Sequence, residues 1–193
     1  SIHHGVFVSQ REEQVAEPKR VITEFRVAPD ESRIALLTTP DGRLITKEGQ
    51  SRVDIYDAKT REITPLPDKL YRAAAPSPYG WVENLAWSSD SSALAWTVDF
   101  DGYPGEILVA EWAGGEPAVS RLQRPDEVSV SGGLHWLPDT HDLCFLAEQR
   151  ARKRVYCVAE VRAGKQGAAR VLTPGDVVVS AYSFAVDGKQ IGF

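Results

Sequence analysis

FAVDGKQIGF, Phe184 to Phe193, reads as a strand, a tight turn at Asp187-Gly188 and the start of a returning strand. The pattern occurs three more times. FRVAPDESRIALL (residues 25–37), LAWSSDSSALAWT (85–97), LHWLPDTHDLCFL (134–146) and YSFAVDGKQIGF (182–193) align without a gap on Asp30, Asp90, Asp139 and Asp187. Three residues before each aspartate stands Val27, Trp87, Trp136 or Phe184. Four residues after it stands Ile34, Leu94, Leu143 or Ile191, and six after it Leu36, Trp96, Phe145 or Phe193. Apolar residues alternating on both sides of a turn predict two antiparallel strands with one buried face. The aspartate and its followers (Glu31-Ser32, Ser91-Ser92, Thr140-His141, Gly188-Lys189) predict the turn, because short polar side chains bond nearby backbone groups there.

A third apolar run follows each complete hairpin: RVDIYDA at 52–58, EILVAEW at 106–112 and RVYCVAEV at 154–161. A turn and a shorter fourth run come next, in KTREITPL, AGGEPAVSRL and GKQGAARVLTP. The anchoring aspartates lie 60, 49 and 48 residues apart, the first interval lengthened by the loop PDKLYRAAAPSPYGWVEN at 67–84. Four-stranded units repeating at about 40–50 residues are the signature of β-propeller blades. The predicted fold is therefore all-β: a β-propeller fragment of about three complete four-stranded blades plus the first hairpin of a fourth. Residues 1–20 form an N-terminal segment, either a strand or a partly disordered stretch. Residues 21–193 form the partial propeller, with blades at about 21–66, 82–123 and 132–173 and an incomplete one at 180–193. A propeller ring takes about four to eight blades, so the reading expects further blades in a longer protein.

The composition sets outer limits. The 193 residues are 42% hydrophobic and 25% charged, with a net charge of −5, enough chain for a real core. Mild acidity argues against nucleic acid or an anionic membrane as partner. The one basic run, RARKR at 150–154, reads as a solvated hairpin tip between two strands. No apolar run approaches the roughly 20 residues of a membrane span. The opening SIHHGVFVSQ lacks the pattern of a secretory signal, and the chain contains no Met. Cytoplasm and periplasm both stay open. Cys144 and Cys157 lie in strands flanking the basic tip, and a turn near Arg150-Ala151 sets them about opposite each other. They are expected to be buried and reduced, since a bridge between directly paired strands is strained.

The repeats resemble the propeller repeat shared by TolB-type proteins and the prolyl oligopeptidase family of serine peptidases, whose blades open on a motif like W-S-P-D-G-K-x-I-A-F. FAVDGKQIGF is close to that motif; AWSSDSSALAW keeps Trp-Ser and Asp, HWLPDTHDLCF keeps Trp, Pro and Asp, and RVAPDESRIALL keeps Pro, Asp and Ile-Ala. DGYPGEILVAEWAGGEP, Asp101 to Pro117, echoes the hairpin that follows. The likeness covers about residues 21–193. Irregular blade lengths and the insertion with Pro76, Pro78, Tyr79 and Trp81 resemble acylaminoacyl- and dipeptidyl-peptidase propellers more than the uniform blades of TolB. The resemblance implies a non-catalytic propeller that gates and positions peptide substrates for an α/β-hydrolase domain of the same protein. Its partners would be the remaining blades, that domain and the peptide, with homo-oligomers through an open edge. The alternative is a TolB-like interaction propeller that binds a protein partner.

No catalytic residue is assigned to this chain. The family's nucleophile sits in a G-x-S-x-G elbow, and no such motif occurs here. Ser88, Ser89, Ser91 and Ser92 read as turn residues around Asp90. His3, His4, His135 and His141 form no ligand set with metal spacing. DFDGYPGE at 99–106 offers Asp99 and Asp101 but lacks the further oxygens of a calcium loop, so it reads as a hairpin turn. No metal or cofactor is expected. Dipeptidyl-peptidase relatives hold a substrate's amine with adjacent glutamates, and by that resemblance Glu12 and Glu13 in REEQ are the substrate-binding candidates. The aromatic context that precedes the family's pair is missing. A propeller enzyme working at its own channel is disfavoured, because EFRVA, NLAW, GLHW and AYSFAV are largely apolar.

Overall fold

A computed structural model describes residues 20–40, 50–77, 80–162 and 165–193. The first hairpin of each repeat opens an antiparallel meander. Strands β1 (Val21–Val27), β2 (Arg33–Thr39), β3 (Arg52–Asp57) and β4 (Ile63–Pro65) pair in chain order. β5 (Gly80–Trp87), β6 (Ala93–Phe100), β7 (Tyr103–Glu111) and β8 (Ala118–Arg121) make the second sheet. β9 (Ser129–Trp136), β10 (Leu143–Gln149), β11 (Arg152–Val158) and β12 (Ala169–Val171) make the third. β13 (Ser183–Phe184) and β14 (Ile191–Gly192) form a two-stranded hairpin. The first strands of successive sheets touch, β1 against β5 and β5 against β9, so they form the inner wall and the fourth strands lie outside. This is a partial β-propeller, and its sheets do not close into a ring.

The alternation marks something finer than one buried face. Leu94, Trp96 and Val98 pack toward the preceding blade, with Ala35, Leu37, Val53 and Ile55. Leu143 and Phe145 do the same against Ala93, Ala95, Ile107 and Val109, and Ile191 against Cys144, Leu146 and Val155. Residues four and six after Asp90 and Asp139 meet the blade before; the residue five after Asp30, Asp90 and Asp139 meets the blade behind. Both faces of the middle sheets are therefore core, in keeping with stacked sheets whose side chains interdigitate.

Two inter-blade hydrogen bonds follow the same register. The Trp87 indole donates to the Arg26 carbonyl and the Trp136 indole to the Ala86 carbonyl, each at 3.0 Å. In both cases the acceptor immediately precedes the anchor residue of the blade before. Phe184 has no N–H to give, and at the same place it stacks on His135 with ring centroids 5.2 Å apart. Trp136 is buried at 6% exposure. Trp87 is only half-buried, because its ring also lines an open cleft with His135, Pro138 and Phe184.

The turns use the expected chemistry in three blades of four. The Asp30 and Asp90 carboxylates accept from the backbone N–H groups of Ser32 and Ser92, both at 3.0 Å, and Asp187 accepts from Lys189 at 3.1 Å. Glu31, Ser91 and Gly188 take the left-handed conformation. In the third blade the left-handed residue is Asp139 itself, at φ 56°, and the Thr140 hydroxyl accepts from the Asp142 N–H instead. The cause is local: a β-branched threonine tolerates positive φ poorly, and aspartate tolerates it well.

The basic tip turns where expected. Gln149 pairs with Arg152, and Arg150 and Ala151 both have positive φ, which suits a two-residue hairpin turn. That register sets Cys144 opposite Cys157, and the expectation of free thiols is corrected: the two form a disulfide, buried at 0% exposure. Both sulfurs lie on the face toward β13–β14, where no other sulfur competes for them.

The insertion between the first two blades is a plug. A 3-10 turn, Lys69–Tyr71, drops Tyr71 into the seam, where it meets Trp96 edge-on at 6.4 Å. Arg72 holds the plug by donating to the carbonyls of Ser51 and Gly80, and Arg121 donates to the Leu70 carbonyl.

Candidate functional site

The first-hairpin turns of neighbouring blades meet at one mouth of the propeller. The Asp30 N–H donates to Ser91 Oγ at 3.0 Å, and Arg33 donates to the Ser91 carbonyl at 2.8 Å. His141 Nε2 stands 3.8 Å from Asp90 Oδ2. Serine, aspartate and histidine thus converge here, in an order that cannot activate a nucleophile. A catalytic imidazole stands between the hydroxyl and the carboxylate; here the carboxylate stands between. Ser88 Oγ donates to Asp90 at 2.6 Å and accepts from the Ala93 N–H, and the Ser92 hydroxyl donates to Asp90 at 2.7 Å. These serines serve the turn.

Asp90 titrates accordingly. Partial burial works against its charge, but hydrogen bonds from Ser88 and Ser92, with His141 nearby, outweigh that and hold its pKa at about 2. A carboxylate with a folded pKa below its unfolded value adds stability above the unfolded pKa and loses it as pH falls through the folded one. Its contribution should therefore disappear between about pH 4 and pH 2. The Tm difference between the native chain and Asp90→Asn should shrink over that window; a difference unchanged down to pH 2 would exclude the carboxylate as its source.

Beside the turns, Arg33 stacks over the Trp112 ring at 4.3 Å and the Trp87 ring at 5.4 Å, bridging the first two blades. A cleft of about 390 Å³ opens next to it, walled by Ile55, Pro65, Leu66 and Pro117 with Asp57 and Glu116 at its polar side. A second cleft of about 260 Å³ gathers Trp87, Trp136, His135, Pro138 and Phe184 from three successive repeats. Burial lowers the His135 pKa, which favours the neutral ring.

Carboxylates also gather at the inner wall, Glu24 on β1 and Glu83 on β5, with Asp99 on the adjoining β6. The Glu83 pKa is raised by burial first, then by the nearby charges of Asp99 and Glu24, and burial raises Asp99. Glu24 pairs with Arg26 at 3.0 Å. Such a wall attracts cationic groups, and reading the sequence had missed Glu24 and Glu83. The available signal was their place: glutamates three and four residues before the anchors Val27 and Trp87.

Of the residues singled out from sequence, Glu12 and Glu13, like His3, His4, Pro78 and Tyr79, lie outside the described residues. Asp101 and Gly102 form a hairpin turn in which Phe100 pairs with Tyr103. Among the described residues no group of three or more His, Cys, Asp or Glu side chains is placed to hold a metal ion.

No protein-family model matches the sequence, and no curated protein is recognisably related to it by sequence. Solved structures share its fold. TolB from Acinetobacter baumannii superposes with a TM-score of 0.56 at 16% identity, over 92% of this chain and 38% of its own. A structure from a study of two prolyl endopeptidases superposes with a TM-score of 0.58 at 13% identity, over 84% of this chain and 23% of its own. The chain spans well under half the length of either. At these identities the likeness is one of fold: a run of blades of the kind found in TolB and in a prolyl endopeptidase.

Proposed function

We propose that this chain is the non-catalytic propeller portion of a serine peptidase of the prolyl oligopeptidase type. In this reading further blades complete the ring, and an α/β-hydrolase domain of the same protein lies across one mouth. The likeness to a prolyl endopeptidase over most of the chain carries the reading. The plugged insertion at the first seam supports it, since it sets these blades apart from a uniform repeat. The propeller would act by access: a peptide passes the mouth and a folded protein does not, so selection precedes chemistry. Glu12 and Glu13 are proposed to receive the substrate's amine, and the inner carboxylates Glu24, Glu83 and Asp99 would favour the same cationic end.

A fluorophosphonate, which phosphonylates activated serines with loss of fluoride, tests the division of labour. The 193-residue chain should remain unlabelled, while the longer protein, carrying a downstream G-x-S-x-G, should label stoichiometrically and lose peptidase activity. Labelling of any serine within these residues would overturn the non-catalytic reading. A longer protein with blades alone and no hydrolase domain would favour a propeller that binds a protein partner, the reading to which the TolB likeness points.

A further inference from the structure

The cleft of about 390 Å³ beside Arg33 lies between the outer strands of the first two blades. Thr64 and Pro65 on β4 form one side; Trp112, Glu116 and Pro117, around the β7–β8 turn, form the other. Arg33 and Asp57 are cross-strand partners on β2 and β3 and line the same cleft, so both turn toward the second blade. Arg33 is pinned there. Its guanidinium stands 4.3 Å from the Trp112 ring centroid and donates through Nη2 to the Ser91 carbonyl at 2.8 Å. A planar fork of five N–H donors has more to give than this bond uses. Asp57 is fixed as well, its Oδ1 accepting from the backbone N–H groups of Thr60 and Lys59 at 2.8 and 2.9 Å. These bonds, that of Thr60 foremost, hold its pKa below the usual carboxylate range. Blade stacking does not demand the arrangement. Three residues after their anchoring aspartates the second and third blades carry Ala93 and Asp142, and those two blades pack together with no arginine at that place.

We propose that this cleft binds a small zwitterion with an apolar side chain: a free amino acid of the leucine kind, or a dipeptide. The ligand's carboxylate pairs with the Arg33 guanidinium, whose fork matches carboxylate geometry. Its ammonium lies by Asp57 and Glu116, and its side chain packs against Ile55, Leu66 and Pro117. Charge complementarity selects this class. A simple anion would face two carboxylates, a simple cation would face Arg33, and an uncharged apolar molecule would leave both signs of charge unanswered. The volume stands at the small end for ligand pockets, with room for one or two residues and not for an extended peptide. Because Arg33 and Asp57 are already held in place, binding costs little ordering of the protein. The site is complete within the first two blades and needs neither a hydrolase domain nor the inner carboxylates Glu24, Glu83 and Asp99.

The test is calorimetric titration of the chain with leucine and with leucyl-leucine. At least one should bind saturably at millimolar concentration, and the tighter of the two tells which source the site takes; saturable binding by neither would overturn the proposal. Acetylating the amine of that ligand, or amidating its carboxylate, should each weaken binding about tenfold, the loss of one charge-assisted contact. A ligand capped at both ends that binds as tightly as the free one would mean an apolar groove without charge selection, and the zwitterion site would be refuted. Two variants place the ligand in this cleft. Glu116 is exposed, so Glu116→Gln leaves the fold intact; it should weaken the free ligand several-fold and leave the acetylated one within about twofold. Arg33→Gln should do the converse, weakening the free ligand while leaving the amidated one within about twofold. If Arg33→Gln fails to fold, having lost its bond to Ser91, Asp57→Asn takes its place beside Glu116→Gln. Unchanged affinity in both of those variants would put the ligand elsewhere and overturn the proposal.

Discussion

Trp136→Ala should lower the stability of the chain by about 3–5 kcal/mol, the cost of emptying a large buried aromatic site. The indole packs among Ala93, Ala95, Val130, Leu143 and Phe145 in the seam between the second and third blades. Its N–H also satisfies the Ala86 carbonyl, so the substitution leaves both a cavity and an unanswered acceptor. Trp136→Phe separates the two effects. It keeps most of the ring, loses the bond, and should cost about 1–2 kcal/mol. Trp87→Ala should cost distinctly less than Trp136→Ala, because Trp87 is half-buried and Arg33 and Trp112 can close over the gap. Urea denaturation of the three variants decides the matter. A loss below about 1 kcal/mol for Trp136→Ala, or a larger loss at Trp87, would remove the indole bond and its packing as the organising contact of the seam.

What could be read in advance was whatever the chain decides locally. The four hairpins were legible because each carries its own turn chemistry, an aspartate with a short polar follower, between apolar residues at period two. The tip at Arg150-Ala151 was legible for the same reason, and with it the pairing of Cys144 and Cys157. What each face would meet was not. Ala35 and Ala95 look like gaps in an apolar pattern, yet both are fully buried, because the space left by a small side chain is filled from the neighbouring sheet. The disulfide was misjudged because strain between directly paired strands was weighed too heavily against a bridge; the burial of both cysteines was expected and is found. The candidate site was least legible. Glu24, Glu83 and Asp99 come from different strands and gather only when the inner strands line up, while the REEQ pair rested on resemblance.

The chain alone should self-associate through the outer face of its first blade. In the second and third blades, the positions two before and at the anchor are shielded by the blade before: Leu85 is 4% exposed and Trp136 6%, and Trp87 and Leu134 are half-buried. Their counterparts in the first blade, Phe25 and Val27, are 59% and 48% exposed, and Val21 and Ile22 on the same strand are exposed too. Repeat-equivalent side chains thus have a neighbour in one place and water in another. Covering a large apolar side chain is worth about 1.5–3 kcal/mol, so two or three of them on one strand supply a real drive toward any complementary apolar surface. The last hairpin offers one, with Val186 and Phe193 exposed. A contact between one chain's first blade and another's last hairpin is head-to-tail, and such contacts build chains or rings rather than stopping at a pair. Sedimentation velocity should show mass rising with concentration. Phe25→Ser with Val27→Ser should return a monomer whose melting is little changed, since neither side chain belongs to a buried cluster. Adding the blades that complete the ring should suppress association in the same way, by placing a sheet over that face. A 193-residue chain that stays monomeric at high concentration and melts in one sharp transition would show that this face is satisfied without a partner.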